Sequence, residues 1–341
     1  MDDVIIRREG RAGCISLNRP EALHALTLDM CLRIEEALTE WRDDPSVEFV
    51  LLDHAAGTRG FCAGGDIRML AESGAADGRE AMAFFAAEYR LNARIHAYPK
   101  PYLAFIDGVC MGGGVGLSVH GSHRLATERT LFAMPETGIG LFPDVGGGWF
   151  LPRLGPPLGM WLALTGERLK GADVVAAGVA THYAESHVLA DLRSDICRNG
   201  LDLFEAMTWD EAGSFERHLE VVDRCFGRPS VEEIFAALAE EEGDWARAQL
   251  ETLRRRSPQT LKVAHRQLTL GLAARSFEEN MAMEYRIASR VVRRHDFLEG
   301  VRAVIIDRDN APVWDPPRLE DVGDDLLDEI FSSLGPEELT F

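Results

Sequence analysis

Apolar residues recur along the first half of the chain in two alternating rhythms. Short runs at Val4–Arg8, Gly13–Leu17, Val47–Asp53 and Tyr102–Asp107 carry the β-branched and aromatic residues of strands. The first two predict a hairpin around Gly10 and Gly13. Between these runs the period lengthens. Cys31, Ile34, Leu38 and Trp41 share one stripe of a helix over Thr27–Trp41, and Met82–Tyr98 predicts a second helix, stopped by Pro99 and Pro101. Gly57–Gly65 is a glycine-rich loop. Met111-Gly112-Gly113-Gly114 opens a helix to about His120, and short strands follow at Arg124–Thr127 and Leu131–Ala133. Strand-strand-helix order of this kind predicts an α/β core with a site at the strand ends.

Beyond about residue 190 the two-residue rhythm disappears. Asp191–Arg293 reads as amphipathic helix, including an acidic stretch over Ser230–Leu253 and a long helix over Phe277–Val292 with Met281, Tyr285 and Ala288 in register. The acidic tail past Pro316 is expected to pack loosely. The division predicted is a core over residues 1–190 and a mainly helical region over 191–341 that partly covers the site.

Composition narrows the picture. With 341 residues, 46% of them hydrophobic, the chain can bury a substantial core. No run of about 18 apolar residues predicts a membrane span. The N-terminus has acids first and a strand-like pattern at once, unlike a signal or transit peptide, so a cytoplasmic location, or an already processed chain, is expected. Six cysteines lie scattered without a CxxC pair or a Cys/His cluster, so neither a disulfide framework nor a metal site is expected. A net charge of −20 argues against nucleic acid and anionic membranes as partners. A polyanionic ligand would therefore need local cations or helix N-termini.

Three segments could carry chemistry. Phe61-Cys62-Ala63-Gly64-Gly65-Asp66-Ile67-Arg68 and Met111–Leu117 each place glycines between an apolar strand and a helix. Glycine lets a ligand approach the free N–H groups of a helix start, and two such groups converging on one point make an oxyanion hole. Neither matches a Walker loop or a dinucleotide fingerprint. The third segment, Leu131–Gly148, sets Glu136 and Asp144 in an apolar, Gly/Pro-rich stretch, which raises carboxylate pKa values and suits acid–base work; two exposed loop acids are the alternative. Glu88 falls on the stripe Phe84–Leu91–Ile95. A carboxylate there is paired, protonated or facing a ligand, with Arg90 and Arg94 as candidate structural partners. The ten histidines show no HxxxH spacing. His24, His120 and His123 read as structural, Ser118 lies inside a helix rather than at a nucleophile elbow, and Trp149 and Trp161 read as core.

Taken together, the three segments resemble the crotonase superfamily, from about Val4 to Glu185 and again at Asp296–Arg302. Within it the strings Met111–His120, Thr130–Leu154 and Glu88-Tyr89-Arg90-Leu91-Asn92 are most similar to the 3-hydroxyisobutyryl-CoA hydrolase branch. The resemblance implies a spiral of ββα units with a helical C-terminal region. It implies oxyanion donors at Gly65 and Gly113, catalytic carboxylates at Glu136 and Asp144, and substrate contacts from Glu88, Gly113, Glu136 and Asp144. Ala63, Gly64, Asp66, Ile67 and Arg68 would lie along coenzyme A, with Arg68 near its phosphates. The implied reaction is hydrolysis of a small β-hydroxyacyl-CoA thioester, as in valine catabolism, with coenzyme A as part of the substrate and no metal or other cofactor. The resemblance leaves room for a homo-oligomer. Hydratases of the superfamily carry a glutamate where this chain has Gly116, so one of two proton-transfer groups is missing for hydration. An isomerase, which can work with one glutamate, stays open, as does a non-catalytic binding protein of the same fold.

Overall fold

The structure is a computed structural model and describes residues 2–209 and 212–341. The chain groups into two compact units that interleave along the sequence. One comprises residues 1–65, 90–133 and 168–216, the other 66–89, 134–167 and 217–341.

All strands among the described residues belong to the first unit. They are β1 (Val4–Glu9), β2 (Ala12–Leu17), β3 (Phe49–His54), β4 (Tyr102–Ile106), β5 (Val109–Met111), β6 (His123–Ala126), β7 (Leu131–Ala133), β8 (Leu169–Lys170) and β9 (His182–Tyr183). One sheet has the order β1-β2-β3-β4-β6-β9. Its β1–β2 pair is the expected hairpin, and the remaining pairs are parallel. A second sheet, β5-β7-β8, is smaller. All six residues of β2 and all five of β4 are buried. That is why these segments read as continuous apolar runs: a parallel sheet is covered on both faces. On one face Ala12, Cys14, Phe49, Leu51, Leu103, Phe105 and Leu125 alternate inward and pack with Ile196, Cys197 and Phe204. The predicted 27–41 helix runs over Leu28–Arg42, with the Thr27 hydroxyl accepting from the Met30 N–H.

The second unit is helical. At its centre Pro156–Thr165 is buried continuously from Gly159 to Thr165, and the Trp161 indole donates to Gln249 Oε1 at 2.9 Å. Against it pack Leu219–Phe226, Asp244–Arg254 and Pro258–Ala273. The Ser230–Leu253 stretch is two helices rather than one. Val231–Glu240 and Asp244–Arg254 are separated at Gly243, whose φ of 115° has no place in a helix. Ser230, Ser257 and Ser276 cap their helices through the N–H three residues on, each such cap being worth about 1 kcal/mol. The tail is not loose. Asp324–Phe331 buries Leu327, Ile330 and Phe331, Arg294 pairs with Glu329 at 2.9 Å, and Arg286 pairs with Glu338 at 2.8 Å. Acidic composition had hidden three apolar residues at helical spacing. No helix among the described residues is long and apolar enough to cross a membrane.

Candidate active site

In the first unit the two glycine loops lie side by side. Cys62 and Cys110 form an isolated parallel bridge, and Met111 N–H donates to Cys62 O at 3.0 Å. The approach is close enough to require glycine, because a Cβ on Gly114 would sit 2.4 Å from Cys62 O. Gly112 turns the chain at φ 45°, and the helix Gly113–Ser118 starts there. In the first loop the bonds run through neighbours of Gly65: Leu26 N–H to Gly64 O at 2.8 Å and Ala63 N–H to Leu23 O at 3.0 Å. A helix's first N–H groups have no carbonyl behind them, so Gly113 N–H starts the helix without an intrahelical acceptor. The Gly113 nitrogen is 3.8 Å from where a Cβ of Gly64 would lie, so the backbones of the two glycine loops run close together here.

The carboxylates belong to the second unit. Glu88 lies on the predicted stripe of the helix Arg79–His96 and is 2% exposed. Its Oε1 has no hydrogen-bond partner among the described residues, and Arg94, one of the two candidate arginines, pairs with Glu35 at 3.2 Å instead. Burial pushes the Glu88 carboxyl well above the usual carboxylate range, and the charge of Asp144 pushes it further. Glu136 begins the short turn Glu136–Ile139. Ser257 N–H donates to Thr137 O at 3.3 Å, and the Thr137 hydroxyl donates to Leu164 O at 3.0 Å, fixing that turn. Glu136 is buried, its Oε2 is unpartnered, and burial with the Asp144 charge drives its pKa up despite the opposing charge of Arg256.

Asp144 is the best-solvated of the three by protein groups. It accepts from the Tyr89 hydroxyl at 2.9 Å and from its own backbone N–H, yet burial still raises its pKa to about 7. Tyr89 is fully buried and lies edge-on to Tyr285, with ring centroids 6.5 Å apart. Among the described residues none of the three acids has a bonded cation, and burial raises the pKa of each, which suits a group that holds or passes a proton. Glu88, Glu136 and Asp144 therefore fall in one unit, with the Asp144 charge acting on both glutamates, while Gly65 and Gly113 fall in the other.

The remaining expectations divide. Ala63 and Gly64 are part of the first glycine loop. Asp66 caps the helix Ile67–Ala75 by accepting from Met69 N–H at 3.4 Å, Ile67 is half-buried beside it, and Arg68 is exposed. Ser118 hydrogen-bonds to Gly114 O at 2.8 Å inside its own helix, and His24 is buried against Thr58 at 2.9 Å. The six cysteines are buried, each as a reduced thiol. The fold brings together one set of donors that spacing along the chain cannot reveal: Glu9, Cys14 and Cys197, with ligand atoms within 4.8 Å of one another. Glu9 already holds both Arg7 and Arg193, and two guanidinium charges oppose a further cation there.

Residues that the sequence reading missed are Tyr89, quoted without a role, and Glu284. The signal for Glu284 was available: it falls on the stripe Phe277, Met281, Ala288 and Val291, as Glu88 does on its own helix.

A model of the enoyl-CoA hydratase/isomerase family matches residues 12–331. The chain is 47% identical to a 3-hydroxyisobutyryl-CoA hydrolase, mitochondrial, of Danio rerio, over 99% of this chain and 91% of that protein. It is 45% identical to the human protein of the same name, over 100% and 91%. The word mitochondrial in both names is not what the cytoplasmic expectation foresaw. Among solved structures, a carnitinyl-CoA dehydratase from Mycobacterium thermoresistibile is 38% identical with a TM-score of 0.94, covering 100% of this chain and 99% of that one. An enoyl-CoA hydratase from Rhodobacter sphaeroides is 39% identical with a TM-score of 0.93, over the full length of both. The chain with these glycine loops and buried carboxylates belongs to the enoyl-CoA hydratase/isomerase family, and its fold is the crotonase fold.

Proposed function

We propose that the protein hydrolyses a small β-hydroxyacyl-CoA thioester, 3-hydroxyisobutyryl-CoA, to the free acid and coenzyme A, a step of valine degradation. The observation that carries this reading is the set of buried carboxylates without a bonded cation, Glu88, Glu136 and Asp144, with Gly116 where hydratases of the family carry a second glutamate. The names of the curated relatives support the same substrate.

In this reading the N–H groups of Gly65 and Gly113 hold the thioester oxygen as negative charge develops on it. Donors at such a position typically contribute about 10²–10³ in rate each. Glu136, once it has given up the proton that burial favours, either takes a proton from the attacking water or itself attacks the carbonyl carbon, giving an anhydride that water then opens. The C–S bond breaks, and the thiolate leaves with a proton delivered by way of Asp144, which at a pKa of about 7 can carry one. Burial raises the Glu88 carboxyl above the usual carboxylate range, and in this reading its bond to the substrate's 3-hydroxyl is taken as one between neutral groups. Ala63, Gly64, Asp66, Ile67 and Arg68 would lie along the coenzyme A portion.

Thiol release from 3-hydroxyisobutyryl-CoA, measured beside hydration of crotonyl-CoA, tests the assignment. Hydrolysis should dominate. Fast hydration with negligible thiol release would replace it with a hydratase. A single turnover in ¹⁸O-water separates the two roles of Glu136, because only the anhydride route exchanges label into its carboxyl group.

A further inference from the structure

Glu284 sits on the buried stripe of the helix Phe277–Val291 with no solvent exposure, and the hydrolysis described above gives it no part. Its two oxygens accept four hydrogen bonds. Oε2 receives the Gly146 N–H at 2.7 Å, while Oε1 receives the Gly148 N–H at 2.9 Å, Gln267 Nε2 at 3.0 Å and Asn280 Nδ2 at 2.9 Å. None of these donors is a cation. A buried carboxylate without one is a costly way to fill a core unless the bonds it accepts are needed.

The segment donating the two backbone bonds, from Gly146 and Gly148, is the turn directly after Asp144. Val145 lies at φ 51° and Gly146 at φ 86°. Glycine tolerates that region, but a β-branched valine does not adopt it unless its surroundings hold it there. Ahead of Asp144, Gln267 Nε2 also donates to Pro143 O at 2.7 Å. Residues 143, 146 and 148 are thus tied to Glu284 or to its partner, and Asp144 is carried between them. Backbone packing keys the same parts together: a Cβ on Gly271 would lie 2.0 Å from Gly148 O.

We propose that Glu284 is the positioning residue of Asp144: by accepting the Gly146 and Gly148 N–H groups it holds the left-handed turn in which the Asp144 carboxylate meets the Tyr89 hydroxyl. The role of Asp144 in turnover rests on the hydrolase reading above; the geometric part does not. Glu284→Gln keeps the size but turns an NH₂ toward one of the two N–H groups, setting donor against donor. Misplacement of a reacting group by about 1 Å can lower a rate by about 10²-fold.

The test is a cycle of Glu284→Gln, Asp144→Asn and the double variant, each assayed for thiol release. Glu284→Gln should lower kcat about 10- to 100-fold while KM stays within about threefold, because the group orients Asp144 and does not touch the substrate. In the Asp144→Asn background the same change should have almost no further effect. Equal fold-losses in both backgrounds would show a merely structural role and overturn the proposal. Gln267→Met is the second variant. It removes the bonds to Pro143 O and Glu284 while leaving the carboxylate in place, and should give a smaller loss of kcat with the same non-additivity. A crystal structure of Glu284→Gln reads the positioning without turnover. The hydrogen bond from the Tyr89 hydroxyl to Asp144 should be broken there, and its persistence would overturn the proposal even if no thioester proves to be a substrate. A wild type that releases no thiol, beside a variant in which that hydrogen bond is broken, would bear out the positioning and count against the hydrolase reading alone.

Discussion

The two units treat their acids in opposite ways. In the sheet-bearing unit Asp107 accepts from Arg129 at 2.9 Å and from the Thr127 hydroxyl at 2.7 Å, and Asp53 is bridged by Arg193, which also holds Glu9. In the helical unit Glu88, Glu136, Asp144 and Glu284 are each 5% exposed or less, and none has an ion-pair partner among the described residues. Their pKa values are all raised, whereas Glu9, held by Arg193, has its pKa lowered. Pairing a buried charge avoids a penalty of several kcal/mol. Leaving four acids without a cation sacrifices stability and raises their pKa values, to about 7 for Asp144 and Glu284, a property suited to acid–base work.

The largest effect expected from that contrast is on turnover. Glu136→Gln or Asp144→Asn should lower kcat for thiol release by about 10²- to 10⁴-fold, the range of a positioned acid–base group. Neither should lower Tm, because a neutral amide replaces a carboxyl that burial already disfavours as an anion. Near-normal turnover in both variants would return these acids to a structural role.

Next in size is the dependence of stability on pH. An acid whose pKa is raised on folding binds its proton more tightly in the folded state. Its contribution is full below the unfolded value and is lost as pH rises through the folded one. Asp144 therefore loses its contribution between its ordinary 3.8 and about 7, and Glu284 between 4.5 and about 7. Urea unfolding of wild type against Asp144→Asn across that window should show a shallower decline in the variant, with a difference on the order of a few kcal/mol. Glu9 acts with the opposite sign, losing its contribution as pH falls below the usual carboxylate range. Parallel curves for the two proteins would contradict the raised pKa of Asp144.

A third measurement probes the paired acids. Arg193→Met leaves Glu9 without one cation and Asp53 without its own. These side chains are partly exposed, so the loss should be about 1–3 kcal/mol rather than the full cost of a buried ion. It should appear as a lower Tm with kcat unchanged, the reverse of the Glu136→Gln result.

The smallest effect concerns the substrate's hydroxyl. A bond between neutral groups contributes about 0.5–1.5 kcal/mol, or roughly 2- to 13-fold. Wild type should prefer 3-hydroxyisobutyryl-CoA over isobutyryl-CoA by about that factor in kcat/KM, and Glu88→Leu should remove the preference. An unchanged ratio would separate Glu88 from the hydroxyl.

Much of this contrast was legible along the chain, and what was not has a physical reason. Glu88 announced itself because a lone acid on an apolar helical stripe is conspicuous, and the glycine loops because strand, glycine and helix follow one another directly. Glu284 occupies the same kind of position, but the glycine N–H groups it serves lie 136 and 138 residues earlier. Tyr89 adjoins Glu88, yet its bond to Asp144 spans 55 residues. The pattern does mark a change of character near residue 190. How segments such as 66–89 and 134–167 group with the C-terminal helices is decided by packing that no local periodicity records. Cys14 and Cys197, with sulfurs 3.9 Å apart, are a further instance: neighbours in space, 183 positions apart in sequence.

Those thiols bear on how the enzyme can be assayed. All six are buried, five of them in the sheet-bearing unit and Cys225 alone in the helical one. A chromogenic disulfide reagent that reports released coenzyme A should leave the folded protein unlabelled, because a thiol in a core reacts only when its surroundings open. A slow background drift in such an assay then measures breathing of the protein. Mass mapping of the tagged cysteines would tell which unit opened, so one reagent can follow both turnover and the integrity of each half.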